Sequence, residues 1–187
     1  MIIKRIKNNK GFTLVETMFA VLILSFAIVS MMTVIANSLF AARYARDEIT
    51  VNYLLQEVVD YIRNDRDTTV LLVGGQTWES FFAKYSNCSN EETGCYFDVL
   101  SESAISPTEC PSGGCPNLYF DANADTTPFY TNDDGINTGK IRTNFRRKIV
   151  VVQNGLDEID VTITIDWING SLPVSRSLKT SFMKWQQ

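Results

Sequence analysis

Hydrophobic and polar positions change their rhythm three times along this chain. From Thr17 to Ala42 there is no Asp, Glu, Lys or Arg. That run exceeds the roughly 20 apolar residues a helix needs to cross a bilayer. From Arg43 the pattern becomes amphipathic. Val51, Leu54, Leu55, Val58 and Ile62 recur at i, i+3, i+4, i+7, one apolar stripe on a helix. No glycine or proline falls between Phe12 and Arg66, so residues 12–66 are predicted to form one helix. The polar run Asn64-Asp65-Arg66-Asp67-Thr68-Thr69 is expected to end it. In the last third the period drops to two. Ile159, Val161, Ile163, Ile165 and Trp167 share one face of a strand. Phe145–Val152 and Val174–Phe182 read as its neighbours, with turns at Asn154-Gly155 and Asn169-Gly170.

Between these parts the signal is weaker. Val70–Val73 is a short apolar run stopped by Gly74-Gly75. Trp78, Phe81 and Phe82, with Thr77 as N-cap, predict a short helix to about Tyr85. Residues 86–140 are mostly polar, with strand-like pieces only at Tyr96–Leu100 and Asn117–Phe120. They read as an insertion where a partner surface could sit. The fold class expected is α+β. A long helix covers a three-stranded antiparallel meander, because one sheet face alone closes no core. The corresponding division is a leader at 1–11, an apolar helix half at 12–42 and a head at 43–187. The head comprises an amphipathic helix half at 43–66, a cysteine-containing region at 67–144 and a sheet at 145–187.

What precedes the apolar run decides how it is read. Lys4, Arg5, Lys7 and Lys10 lie before it, and Glu16 opens it. A secretory signal peptide has an apolar region of only about 7–15 residues and a small-x-small cleavage site, and this run fits neither. A plain signal anchor explains the length but not the glutamate. Lys10-Gly11-Phe12-Thr13-Leu14-Val15-Glu16 resembles the class III signal of type IV pilins and pseudopilins. The resemblance implies cleavage by a membrane prepilin peptidase between Gly11 and Phe12, and N-methylation of Phe12. It makes Glu16 the fifth mature residue, the acidic position of that family. Mature position 22 is Thr33, where many major pilins carry proline, and this favours a minor pilin. The helix-on-meander arrangement of the head, with Trp167 before a turn and Trp185 near the end, is also similar to minor pilins.

Physical chemistry gives Glu16 a task of its own. A carboxylate at mid-bilayer depth costs about 2.5–3.5 kcal/mol on insertion scales. The amine created at Phe12 is largely cationic at neutral pH. Glu16, four residues away, can neutralise that amine or the amine of the next subunit. In the first turn its charge is also favoured by the helix dipole.

Charge and cysteine usage narrow the setting. The chain has 187 residues, 17 basic and 21 acidic, and no histidine. Loss of Met1–Gly11 removes four basic residues and leaves a net of −8. An acidic head argues against nucleic acid as a partner. The basic leader predicts the N-terminus inside the cytoplasmic membrane, a single pass, and the head outside. Cys88, Cys95, Cys110 and Cys115 are even in number and belong to an exported head, so they read as disulfides. Three connectivities are possible. Cys88–Cys95 with Cys110–Cys115 is favoured, since each closes a short polar loop. A zinc site and free thiols are the competing readings, but only the second spacing suits zinc.

Two motifs carry weaker chemistry. Asp121-Ala122-Asn123-Ala124-Asp125 has the start of a calcium loop, with Asp133 or Asp134 as further ligands. Thr126 replaces the loop's glycine and Asn132 its terminal glutamate, which excludes an EF-hand. Apart from that candidate, no cofactor is expected. Asn144-Phe145-Arg146-Arg147-Lys148 reads as a solvated strand start. No catalytic constellation is present, and no enzyme activity is expected. The function expected is that of a minor pilin in a type IV pilus. Its partners would be the peptidase, other pilin subunits, an inner-membrane assembly platform and, before assembly, lipid. The alternatives are a pseudopilin of a type II secretion system or competence pilus, in a periplasmic rather than extracellular filament, and a single-pass anchored binding ectodomain.

Overall fold

Helix formation begins where Thr13 supplies a cap. In the computed structural model, which describes residues 11–71, 77–99, 106–122, 128–133 and 139–184, α1 runs Leu14–Leu71. Two compact units follow from its contacts, Met1–Asp47 and Glu48–Gln187.

In the first unit every described residue from 11 to 43 is exposed. Phe19 and Phe26 are 61 % and 69 % exposed, so no described residue covers this apolar surface. Four of its hydroxyl groups bond back into the helix. Thr17, Ser25, Ser30 and Thr33 donate to the carbonyls of Leu14, Val21, Ala27 and Ser30 at 2.7–2.9 Å. Such back-bonding spares these four hydroxyls a lipid environment without a partner, where each unsatisfied polar group costs several kcal/mol.

The second unit is built on the amphipathic stripe. Val51, Leu54, Leu55, Val58 and Ile62 are all buried. The helix passes the polar run expected to end it, because Asp65, Arg66, Asp67 and Thr68 each have a side-chain partner compatible with the helix. Asp65 accepts from Lys84 Nζ at 2.6 Å and from the Tyr85 hydroxyl at 2.7 Å. Arg66 pairs with Asp67 at 2.7 Å and lies over the Phe182 ring at 5.5 Å. The Thr68 hydroxyl bonds back to Asn64 O at 2.8 Å. These contacts also dock α2 (Trp78–Lys84), capped by Thr77, whose hydroxyl accepts from Ser80 N–H at 3.3 Å.

The sheet is larger than the meander expected. Seven antiparallel strands are β1 Cys95–Tyr96, β2 Thr108–Glu109, β3 Asn117–Asp121, β4 Phe129–Thr131, β5 Ile141–Gln153, β6 Glu158–Asn169 and β7 Leu172–Met183. One edge of β5 pairs with β6, and the other takes β1 and β3, which lead on to β2 and β4. The polar region 86–140 therefore contributes β1 to β4 to the sheet. Its strands were hard to read because two or three residues show no alternation. The Tyr96–Leu100 expectation shrinks to Cys95–Tyr96, with Leu100 outside the described residues. Ile159, Val161, Ile163, Ile165 and Trp167 face the helix and are at most 2 % exposed.

One turn shows how local geometry overrides the dipeptide. Asn169 is the last residue of β6, and Gly170-Ser171 are the central turn residues. Gly170 has φ +65° and Ser171 is not left-handed, which is a type II′ turn with glycine first. At Gly94, φ is +62° and an added Cβ would lie 2.6 Å from Lys148 Cγ and 2.8 Å from Ile149 O. Glycine is required there for β1 to lie against β5.

Both short-range bridges are formed, Cys88–Cys95 and Cys110–Cys115, each with Cα atoms 4.7 Å apart. All four cysteines are buried. The first ties the 3₁₀ turn Ser86–Cys88 to β1, and Cys110 N–H donates to Gly94 O at 3.0 Å. Replacing Cys88 and Cys95 by serine is expected to lower unfolding free energy by about 2.5 kcal/mol or more, the loop-closure value for eight residues. A urea melt of the full chain in detergent checks this. A midpoint equal to that of the unaltered protein would mean that the bridge adds nothing.

Candidate functional site

The start of α1 carries the capping-box sequence S/T-x-x-E, with the Thr13 half of its hydrogen bonding formed. Thr13 Oγ1 accepts from the Glu16 N–H at 3.3 Å, and Thr13 O accepts from the Thr17 N–H at 3.2 Å. Glu16 is therefore the third helical residue, in the turn where a negative charge is favoured. The sequence reading placed Glu16 in that first turn but did not recognise Thr13 as its cap, although the spacing Thr13-x-x-Glu16 is legible.

Gly11 and Phe12 precede the cap in non-helical, exposed backbone. A Cβ built on Gly11 meets nothing within 4 Å, and its φ is not left-handed. The folded chain thus has no steric need of glycine at this position. Any requirement for it belongs to whatever reads the peptide bond. The Phe12 side chain is 80 % exposed. Lys4, Arg5, Lys7 and Lys10 lie outside the described residues.

In the head the structure corrects one expectation. Arg146-Arg147-Lys148 is not uniformly solvated, because a strand alternates its faces. Arg147 points inward and is completely buried. Its Nη1 donates to Glu57 Oε2 at 2.8 Å and its Nη2 to Phe97 O at 3.4 Å, while Nε has no partner among the described residues. Burial holds the Glu57 carboxyl above the usual range. Arg147 pulls it back down, and Asp98 pushes it up further. Asp98 in turn accepts a short hydrogen bond from the Thr131 hydroxyl. Helix α1, the segment after β1, β4 and β5 are joined through this one network. Tyr61 on α1 is pushed up to about 12 by burial and then by Asp65.

On the outer face, Arg146, Lys148 and Asp166 floor a cleft of about 270 Å³ walled by Glu92, Thr93 and the Pro111–Cys115 loop. Gly114, at φ +95°, lets that loop pass over Arg146. Of the calcium candidates, only Asp121 and Asp133 fall among the described residues. Asp121 closes β3 opposite Phe129, and Asp133 holds Lys140 Nζ at 2.6 Å. Asn123, Asp125 and Asp134 lie outside the described residues. Among the described residues no three His, Cys, Asp or Glu side chains are grouped to hold a metal.

The family model of the prokaryotic N-terminal methylation motif matches residues 6–35. No curated protein and no solved structure matches the chain. On this class III signal, and on its long apolar helix followed by an antiparallel sheet, the chain is type IV pilin-like. The motif implies a precursor processed by a prepilin peptidase and assembled with other pilins. One helix among the described residues is long and apolar enough to cross a membrane, which fits an anchored pilin.

Proposed function

We propose that the protein is a minor pilin of a type IV pilus, with no reaction of its own. The precursor sits in the cytoplasmic membrane with its basic leader inside. The peptidase cuts between Gly11 and Phe12 and methylates the Phe12 amine. The apolar half of α1 then exchanges lipid for the same helices of neighbouring subunits at an assembly platform. Glu16 of one subunit pairs with the Phe12 amine of another and fixes the axial register. The open, heterologous contact allows growth without closure. Thr33, at the mature position where major pilins often carry proline, favours a minor role.

The observation that carries this reading is the methylation motif placed on an exposed Gly11–Phe12 bond, immediately before a helix whose apolar surface no described residue covers. Mass spectrometry of the mature N-terminus tests it. N-methylated Phe12 is expected, and a retained Met1 would reduce the protein to an anchored ectodomain. Surface filaments containing the protein in electron micrographs distinguish a pilus from a secretion pseudopilus.

A further inference from the structure

Two Asn-Gly pairs stand at strand ends, Asn154-Gly155 just after β5 and Asn169-Gly170 at the end of β6. Asparagine is a thermolabile residue. It is most labile before glycine, where no Cβ shields the main-chain nitrogen that attacks the asparagine side-chain amide. That attack has three requirements. The asparagine must be exposed, the glycine nitrogen must be unengaged, and the backbone between them must be able to leave the extended form that holds the two groups apart.

Asn154-Gly155 meets all three. Residues 154–157 form an exposed turn between β5 and β6. The Gly155 N–H makes no hydrogen bond among the described residues. Gly155 has φ +77°, and a Cβ built on it meets nothing within 4 Å, so the space around the attacking nitrogen is open. The Asn154 side chain is held only by a long bond, from Nδ2 to Glu158 Oε2 at 3.4 Å. Its main-chain N–H donates to Glu158 O at 2.9 Å, which anchors the residue on one side and leaves the side towards Gly155 free to rotate.

Asn169-Gly170 fails the first and third requirements. Asn169 is 7 % exposed and pairs with Leu172 as the last residue of β6. Just before it, Ile168 O accepts from Asn144 Nδ2 at 2.7 Å. The ladder keeps this backbone extended.

We propose that Asn154 is a site of spontaneous covalent modification and that the fold protects Asn169 from the same reaction. The Gly155 nitrogen loses its proton and bonds to Asn154 Cγ. The Cγ–Nδ2 bond breaks, and the side-chain nitrogen leaves as ammonia, taking up a proton. The product is a cyclic imide. Water then adds to one of its two carbonyls, and the bond from that carbon to the ring nitrogen breaks. Opening at the main-chain carbonyl gives isoaspartate, and opening at the side-chain carbonyl gives aspartate. Water is the only co-reactant, and nothing is oxidised or reduced. Either product puts a carboxylate where an amide donated to Glu158, with Asp157 close by in the same turn. Isoaspartate also adds a main-chain carbon to the turn that joins the β5–β6 ladder. Older molecules therefore carry one more negative charge on this turn than new ones.

The test is incubation of the full chain, folded in detergent micelles, in warm and mildly alkaline buffer. Mass spectrometry with electron-transfer fragmentation then locates the converted residue and separates aspartate from isoaspartate. In the folded chain, conversion at Asn154 should exceed that at Asn169 at least tenfold. In urea with the bridges reduced, the two sites should converge to within a few-fold. Hydroxylamine, which opens the imide with main-chain cleavage, should cut the folded chain between Asn154 and Gly155, and N154Q should abolish that cut. An Asn154 that survives as long as Asn169 in the folded chain would overturn the proposal. A preference for Asn154 that persists undiminished in urea would also overturn it, because flanking sequence rather than the fold would then set the difference. None of these readouts involves Phe12, so the outcome is independent of the pilin reading.

Discussion

Replacing Arg147 by methionine is expected to lower unfolding free energy by about 3–5 kcal/mol at neutral pH, the usual cost of breaking a buried ion pair. The methionine fills much of the same volume, so the loss comes from charge. Arg147 is 1 % exposed and its partner Glu57 is 29 % exposed at the side chain, and the variant leaves Glu57 ionised beside Asp98 without a counter-charge. The double variant R147M/E57M should recover most of the loss, because a well-packed apolar pair often matches a buried ion pair. A double-mutant cycle of urea melts measures the difference. Equal midpoints for R147M and the unaltered chain would rule out this role for the pair.

The same site dictates a pH dependence with a definite sign. Burial raises the folded-state pKa of Glu57 above its ordinary value. A carboxyl raised in this way contributes stability that is fully present below the ordinary carboxylate range and is lost as pH rises through the folded value. Removing Arg147 takes away the influence that lowers this pKa, so the loss extends to higher pH in the variant. The gap between R147M and the unaltered protein should therefore be smaller at pH 4 than at pH 7. A gap that widens on acidification would contradict the assignment.

The second large effect is expected at the membrane end. Glu16→Val should insert normally, since it removes a charge from an apolar helix, yet incorporation into filaments should fall at least tenfold. Glu16→Gln separates two contributions. It keeps a side chain able to complete the capping box with Thr13, but it cannot neutralise an amine. If E16Q assembles as well as the unaltered protein, the acid serves the helix cap rather than the register between subunits. Immunogold counts on sheared filaments, normalised to membrane-bound precursor, give the ratio.

Most of the architecture was legible because it follows from long periodic patterns. The apolar run, the stripe from Val51 to Ile62 and the alternation from Ile159 to Trp167 each repeat often enough to fix a period. The helix end was misread because Asp65, Arg66 and Thr68 are poor helix formers only when their side chains are free to compete with the backbone. Here Lys84, Tyr85 and Phe182 occupy the first two, partners that are distant in sequence. The strands β1 to β4 were obscured for a related reason. β1 and β3 pair to β5, β2 and β4 pair in turn to β1 and β3, and disulfides tie this part down, so the strands depend on partners rather than on their own composition. Arg147 sat in a run that looked solvated, and only the strand's alternation turned it inward to Glu57, ninety residues away. At the membrane end almost everything chemical is local, so the heptapeptide Lys10–Glu16 could be read without the fold.

Burial of the four cysteine sulfurs imposes an order in time. Oxidant must reach Cys88 and Cys95 before Tyr85, Phe97 and Ile149 close over that part of the core. A head that collapsed first in a reducing compartment would seal its thiols unbridged. On the proposed topology, with the head outside the cytoplasmic membrane, maturation of the head is thereby coupled to its arrival where electrons can be taken away, and translocation acts as the checkpoint that starts the clock.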